Sequence, residues 1–521
     1  MENNAKQPLI SPLLEEEDQE QNRKPQNHLL VPESLPAVST AVFTAGTDDI
    51  PPINGVRDFS REFLKEGKKL WYLAGPAIFM TICQYPLGAI TQVFSGHIST
   101  LALAAVSVEN SVIAGFSFGA MLGMGSALET LCGQAYGAGQ LDMMGVYLQR
   151  SWIILITTAL MLMFMYIFAQ QILSLIGQTQ EISNAAGTFA TWMIPQLFAY
   201  ALNFPMVKFL QAQSKIMVLA VIAAVALLLH TILSWLLILK LGLGLVGAAV
   251  ALNASWWFID ITRLLYIFSG ACGPTWSGFS WKAFHSLWSF VRLSLASAVM
   301  LCVEIWYFMA LILFAGYLKN AKLSVAGLSI CMNILGWSNM VSIGMNAAVS
   351  VRTSNELGAA HPRTAKLSLV VAVFSSFLIG LTLSLILIVT RNQYPALFSS
   401  DPEVIDLVID LTPLLALCIV INNIQPVLSG VAIGAGWQAT VAYVNIGCYY
   451  LFGIPLGLIL GYLVGLEVKG IWCGMLCGTI LQTCVIFGII YKTNWNKEKM
   501  KPKRKQRSWK YSEAIQFFNK N

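Results

Sequence analysis

Between Arg292 and Lys319 the chain runs for 26 residues, Leu293 to Leu318, with one side chain that is charged at neutral pH in water, Glu304, near the centre. About 20 apolar residues at 1.5 Å rise cross a hydrocarbon core of roughly 30 Å, so this run predicts a membrane-crossing helix with a carboxylate near the midplane. Insertion scales put a mid-membrane Asp at about 2.5–3.5 kcal/mol, and a Glu is expected to be similar. A side chain carried at that cost faces protein or a water-filled cavity. Two chemistries fit Glu304: a proton or cation site, or a protonated hydrogen bond between helices that only supports the fold.

The elements that must position this carboxylate are helices. Of 521 residues, 56% are hydrophobic and 11% charged, against about 25% charged in soluble proteins, which defines a polytopic membrane protein. Uncharged stretches recur, among them Ser151 to Ala169, Ile216 to Leu239, Leu367 to Thr390, Leu411 to Leu466 and Gly470 to Tyr491. Adding spans interrupted by one or two polar residues predicts twelve, starting near Lys69, Leu101, Met143, Thr188, Lys215, Leu245, Leu287, Ser324, Lys366, Val404, Trp437 and Val468.

A net charge of +6 is distributed by topology and does not point to nucleic acid. Arg57, Arg61, Lys65, Lys68 and Lys69 precede the first span, Lys208 and Lys215 flank the fourth loop, Arg352, Arg363 and Lys366 the eighth, and Lys492 to Lys510 is densely basic. The opposite loops carry His97, Lys240, and Lys319 with Lys322. The positive-inside rule therefore predicts cytosolic N- and C-termini. The first 69 residues are polar and rich in proline, with an acidic cluster from Glu15 to Asp18, and are expected to be a disordered tail without a cleavable signal. The basic tail, residues 493–521, is either solvated or in contact with anionic lipid.

The chain also contains itself. An offset of 221 residues brings Met124 to Ala138 (MGSALETLCGQAYGA) onto Met345 to Ala359 (MNAAVSVRTSNELGA), and Pro205 onto Pro426. This predicts two pseudo-symmetric six-helix lobes, 70–270 and 288–492. An even helix number keeps both copies in one orientation, so the axis relating them runs along the membrane normal, with the cavity between. Residues 271–287 join the lobes. There Trp276, Phe279, Trp281, Phe284 and Trp288 mix with Ser280, Lys282 and His285, the pattern of an interfacial amphipathic linker.

Within these lobes Glu304 has candidate partners: Tyr307 one turn away, Asn333 in the eighth span, Asn423 and Gln425 in the tenth. Each serves equally as ordinary glue between helices, worth under ~1 kcal/mol. Glu109, in the second span, is either a cavity acid of the first lobe or a buried hydrogen-bonded one. Asp260 and Arg263, three apart, are expected to pair, and His230 to be a satisfied buried histidine. Cavity-side aromatics such as Trp337, Trp306, Tyr200 and Trp256 would suit flat or cationic rings, or pack as interfacial residues. Glu129, Gly133, Gln134, Arg352, Asn355 and Glu356 fall at the cytoplasmic ends of their spans, where gating and helix capping are both open to them. The ten cysteines show no metal-ligand spacing and read as packing residues. Gly242-Leu-Gly-Leu-Val-Gly247 spells a dinucleotide fingerprint, but it joins two predicted spans and no strand. No Walker motif, metal cluster or catalytic triad is present in the sequence, so no cofactor and no enzymatic activity are expected.

Glu129-Thr-Leu-Cys-Gly-Gln-Ala-Tyr-Gly-Ala138 and Ser350-Val-Arg-Thr-Ser-Asn-Glu-Leu-Gly-Ala359 resemble the paired signature of the MATE (multidrug and toxic compound extrusion) family. Ala298 to Tyr307, Leu328 to Asn333, Gln425 to Gly434 and Lys492 to Lys497 resemble its plant detoxification branch, the likeness covering about residues 65–497. The resemblance implies a proton-driven antiporter moving organic solutes out of the cytosol, with Glu304 as the protonation site of the second lobe. It departs where bacterial relatives often carry an Asp in the first span: here stand Gln84, Tyr85 and Gln92, and the tenth span has Asn422, Asn423 and Gln425. An anion or metabolite channel on the same frame, an embedded enzyme and a lipid-linked oligosaccharide flippase are the competing classes. The partners expected are small organic substrates, protons and the bilayer, with the protein acting as a monomer. The vacuolar membrane is favoured over the plasma membrane, because an acidic lumen would supply protons.

Overall fold

The computed structural model describes residues 43, 48–285, 287–318 and 321–498. The acidic cluster Glu15 to Asp18, Lys319 and the basic tail beyond residue 498 lie outside the described residues.

Among the described residues, twelve long helices follow one another: α1 Val56–Gly96, α2 Thr100–Gly137, α3 Leu141–Ile167, α4 Gln180–Ala212, α5 Ile216–Lys240, α6 Gly244–Ala271, α7 Leu287–Ala315, α8 Ala321–Gly358, α9 Pro362–Val389, α10 Pro402–Ala435, α11 Gln438–Leu463 and α12 Glu467–Lys492. Eleven are long and apolar enough to cross a membrane, the exception being α4. That helix has 33 residues, ample for a span, but it carries Gln196, Asn203 and Gln211 on buried positions, so its polarity is internal.

Short side-chain caps start some of the helices, α2 and α10 among them. Ser99 Oγ accepts from Ala102 N–H at 3.0 Å and Asp401 Oδ1 from Glu403 N–H at 3.0 Å. Pro205 and Pro426, aligned by the sequence repeat, both sit inside helices, α4 and α10.

The packing repeats with a period of six helices. In the first lobe α1 packs on α5, α2 on α4, α3 on α4, α4 on α6 and α5 on α6; in the second, α7 packs on α11, α8 on α10, α9 on α10, α10 on α12 and α11 on α12. Between the lobes, α1 runs along α8 and α7 along α2, the same contact seen from either lobe.

Two helices are shared. Leu70, Leu73, Ala74 and Ala77 of α1 pack into a core with Met345, Val349 and Val371, whereas Met80, Cys83 and Leu87 belong to the first lobe's core. Phe290, Leu293 and Ala298 of α7 pack into that first core, whereas Tyr307, Leu311 and Ala315 lie in the second lobe. The changeover in α1 falls between Ile78 and Met80, just after Pro76, a residue that interrupts the helical hydrogen-bond ladder.

Helix α1 begins at Val56, so residues 56–69, assigned to the disordered tail from sequence, are helical. The charges there do not break the helix because one face is packed: Glu66 is bound by Arg352, and Phe63 lies edge-on to Phe374 at 5.7 Å. The linker after α6 forms short 3-10 turns, Gly273–Thr275 and Trp281–Phe284. Gln149 of α3 holds it, donating to Gly278 O at 3.0 Å and accepting from Ser280 N–H at 2.9 Å, while Phe279, Trp281, Phe284 and Trp288 are exposed.

Candidate functional site

Glu304 lies partly buried in the middle of α7. Gln425 of α10 is a neighbour of the carboxylate, its amide donating to Ser429 Oγ at 3.2 Å, and the Tyr449 hydroxyl of α11 is within electrostatic range. That hydroxyl is buried and makes no hydrogen bond among the described residues. Tyr449 was not singled out from sequence, since no spacing relates it to Glu304; only the α7–α11 packing brings the two together.

The frame around Glu304 is stiff. Tyr307 is fully buried, stacks on Tyr449 at 4.2 Å between ring centroids, and donates its hydroxyl to Met475 O at 2.5 Å. Gly453 and Gly478 make the slot for it: a Cβ on either would come within 2.3 or 2.4 Å of the Tyr307 oxygen. Asn445 donates to Met300 O at 3.3 Å and accepts from Gln482 at 3.0 Å, and Tyr450 donates to Val303 O at 3.1 Å. Tyr307, a sequence candidate for direct contact with Glu304, thus has its hydroxyl engaged elsewhere and serves to fix α7 against α11 and α12.

The other candidates separate. Asn423 donates to Ser338 Oγ at 3.0 Å and so ties α10 to α8. Asn333 is exposed one turn from Trp337, whose ring lies edge-on to Tyr85 of α1 at 5.1 Å. On the opposite seam Phe116 of α2 stacks on Trp306 of α7 at 5.6 Å. Two aromatic pairs therefore bridge the lobes near mid-membrane.

In the first lobe Glu109 is fully buried at the start of a π-helical turn, Glu109–Ala114, with both carboxylate oxygens lacking partners among the described residues. Tyr166 and Tyr200 are the ionisable neighbours that sense it. The pairing expected between Asp260 and Arg263 does not form as a hydrogen bond: Arg263 donates to Asn203 of α4, and the Asp260 oxygens make no hydrogen bond among the described residues. The packing of α4 draws the Arg263 side chain to Asn203, while Asp260, three residues away on α6, remains its electrostatic neighbour. His230 is satisfied at both ring nitrogens, by Thr91 at 3.1 Å and Ser255 at 3.0 Å.

The signature residues gather at one end of the molecule, where the lobes meet. Glu129 is ion-paired with Lys208 at 2.7 Å. Arg352 holds Glu66 of α1 through two hydrogen bonds, Nε to Oε1 at 2.7 Å and Nη2 to Oε2 at 2.9 Å, and Glu356 at 2.6 Å. Glu356 in turn meets His361 Nδ1 at 2.7 Å.

Gln134 and Asn355, equivalent under the 221-residue offset, act reciprocally. Gln134 of α2 donates to Gly434 O at the end of α10 at 3.2 Å, and Asn355 of α8 donates to Ala212 O at the end of α4 at 3.1 Å. Each supplies a partner to an orphan carbonyl of the other lobe's helix terminus. Gly137 and Gly358 are reciprocal too: a Cβ on Gly137 would strike Asn355 O at 2.0 Å, and one on Gly358 would strike Gln134 O at 2.3 Å. Away from this end α2 and α7 diverge. A Cβ at Gly123 would meet Ala298 Cα at 2.5 Å, at Gly119 the Ile305 side chain at 3.3 Å, and at Gly115 the Met309 side chain at only 3.9 Å. The arrangement is a pair of lobes sealed at the motif end and loosening toward the other.

Known proteins share this architecture. Residues 76–236 and 296–459 each match the MatE family model, once per lobe. Protein DETOXIFICATION 29 of Arabidopsis thaliana is 69% identical over 474 residues, 91% of this chain and 95% of its own length; Protein DETOXIFICATION 30 of the same organism is 67% identical over 475 residues, with the same coverage. The crystal structure of the eukaryotic MATE transporter AtDTX14 superimposes with a TM-score of 0.81 at 36% identity, covering 88% of this chain and 100% of that one. The Vibrio cholerae MATE transporter VcmN in its bent form shares the fold, with a TM-score of 0.70 at 17% identity, covering 88% of this chain and 99% of that one. The duplicated lobes, the paired signature at their junction and these matches together place the chain in the MATE family, as a multi-pass membrane efflux transporter and not an enzyme.

Proposed function

We propose that this chain is a proton-coupled antiporter that exports organic solutes from the cytosol, organic cations or flavonoid- and alkaloid-type metabolites, with Glu304 as the coupling carboxylate. The observation that carries the reading is the placement of Glu304: a half-buried acid at mid-membrane beside Gln425 and the unpartnered Tyr449 hydroxyl, on a helix braced by Tyr307. Ionised, Glu304 accepts from these donors and draws α10 and α11 toward α7. Protonated, it releases an acceptor position and loosens that contact, so the proton load biases the balance between conformations.

The signature residues serve as the gate. In this reading the motif end is cytosolic, as the lysines and arginines around it favour, and the structure corresponds to a state closed to the cytosol. Transport then proceeds by rocking of the lobes about the α1–α8 and α2–α7 seams, with Trp337, Tyr85, Trp306 and Phe116 facing flat substrates. The vacuolar membrane is the proposed address and the monomer the working unit. Purified protein in liposomes with an imposed pH gradient tests the proposal. Accumulation of an organic cation above its equilibrium level, dependent on the gradient, supports antiport; a passive current that follows voltage would instead establish a channel.

A further inference from the structure

The chain ahead of α1 touches both lobes at the motif end. Phe43 is 3% exposed, lies in the first lobe's core and places its ring 5.8 Å from Tyr136, near the end of α2. Six residues later Asp49 reaches the first turn of α9. Its Oδ2 accepts from the backbone N–H of Arg363 at 3.0 Å, and its Oδ1 accepts from the backbone N–H and the hydroxyl of Thr364 at 3.0 and 2.7 Å. The Arg363 side chain donates to Ile50 O at 3.0 Å, and Ile50 packs against the second lobe's core.

Helix α9 lacks a cap of its own. His361 stands at its N-cap position without a side-chain cap bond, because Glu356 holds the ring, and Pro362 contributes no N–H. The free donors are those of Arg363 and Thr364, and Asp49 takes both, where a carboxylate also complements the helix dipole. A helix of the second lobe is therefore capped by a residue that precedes the first lobe.

We propose that Phe43, Asp49 and Ile50 form a latch that holds the motif end closed by anchoring one short stretch of chain to both lobes. Phe43 and Asp49 are six residues apart, so their Cα atoms can separate by at most about 20 Å. Opening the mouth carries the end of α2 away from the start of α9, and one anchor must then release. The contacts exist in full only in the closed state, so they bias the equilibrium toward it. The latch rests on the rocking part of the function proposed above, and is independent of which ion drives it.

Spin labels on the full-length protein test it, at Asp142 of α3 and Lys492 of α12, both exposed at the motif end, with Cys473, Cys477 and Cys484 replaced by Ser. Loss of one capping side chain shifts an equilibrium by about five- to tenfold, so Asp49→Ala should raise the ratio of long to short separations by that order. Phe43→Ala leaves α9 capped and should give a similar rise, which separates a latch from a local capping effect. Asp49→Asn keeps an oxygen for Thr364 but sets an NH2 against the Arg363 N–H, so it should fall between wild type and Asp49→Ala. Two populations unmoved by both Ala variants would overturn the latch while leaving rocking intact. A single separation in every variant and condition would overturn both readings.

Discussion

Gly133 and Ser354 touch across the junction of the lobes: a Cβ built on Gly133 would lie 1.9 Å from Ser354 Oγ and 2.5 Å from its Cβ. The two are equivalent in the repeat, so their contact marks the pseudo-twofold axis. Glycine is required there by the neighbour's proximity and not by backbone conformation. Gly133→Val should wedge the mouth open and abolish transport, and the separation of labels at Asp142 and Lys492 should lengthen. A wild-type separation with wild-type transport would refute a seal at this point.

Glu304→Gln should reach the membrane and fold, since the amide mimics the protonated acid in size and hydrogen bonding, yet lose gradient-driven accumulation. Glu304→Asp should keep part of the activity, with a titratable group one methylene short. Glu109→Gln should be the milder change. Full accumulation by Glu304→Gln would move the coupling site to Glu109 or Asp260.

Arg352 is buried with Glu66 and Glu356 around it. Removing Glu66 leaves Arg352 paired with Glu356 but takes away two buried hydrogen bonds to a charged group, each worth about 1.5–3 kcal/mol. Glu66→Ala should therefore lower the thermal midpoint in detergent strongly. Arg352→Lys should fail to restore it, because an ammonium cannot make the two-pronged contact. An unchanged midpoint for either variant would exclude a structural role for the network.

Gly478→Ala places a methyl 2.4 Å from the Tyr307 oxygen and should destabilise by about 1–3 kcal/mol, the range for overpacking. Tyr307→Phe removes that oxygen and should recover part of the loss in the double variant, measured by thermal unfolding. No recovery would mean that the Gly453 and Cys448 backbone, also within 3.0 Å of the methyl, sets the cost.

Periodicity and charge made the helices and the duplication legible in the sequence, because a 20-residue apolar run and a 221-residue offset are properties of the chain alone. Partner choice was less legible. Arg352 finds Glu66 at a separation of 286 residues, and Arg263 takes Asn203 although Asp260 is three positions away. Such pairings depend on how helices cross. The start of α1 was missed for a related reason: its charged first turns are held by a face that packs on α8 and α9, and hydropathy registers charge but not the partner that neutralises it. Tyr449 was missed because α11 approaches α7 only in the folded lobe.

The sharing of α1 and α7 sets a timetable for making the protein. The first half of α1 completes its packing, against Met345, Val349 and Val371, only after more than half the polypeptide has left the ribosome. Until then Leu70, Leu73 and Ala74 must be sheltered by lipid or by the insertion machinery. The first lobe likewise stays incomplete until Phe290, Leu293 and Ala298 arrive. Neither half is a self-sufficient unit, so the two halves expressed as separate chains should accumulate only when they are made together.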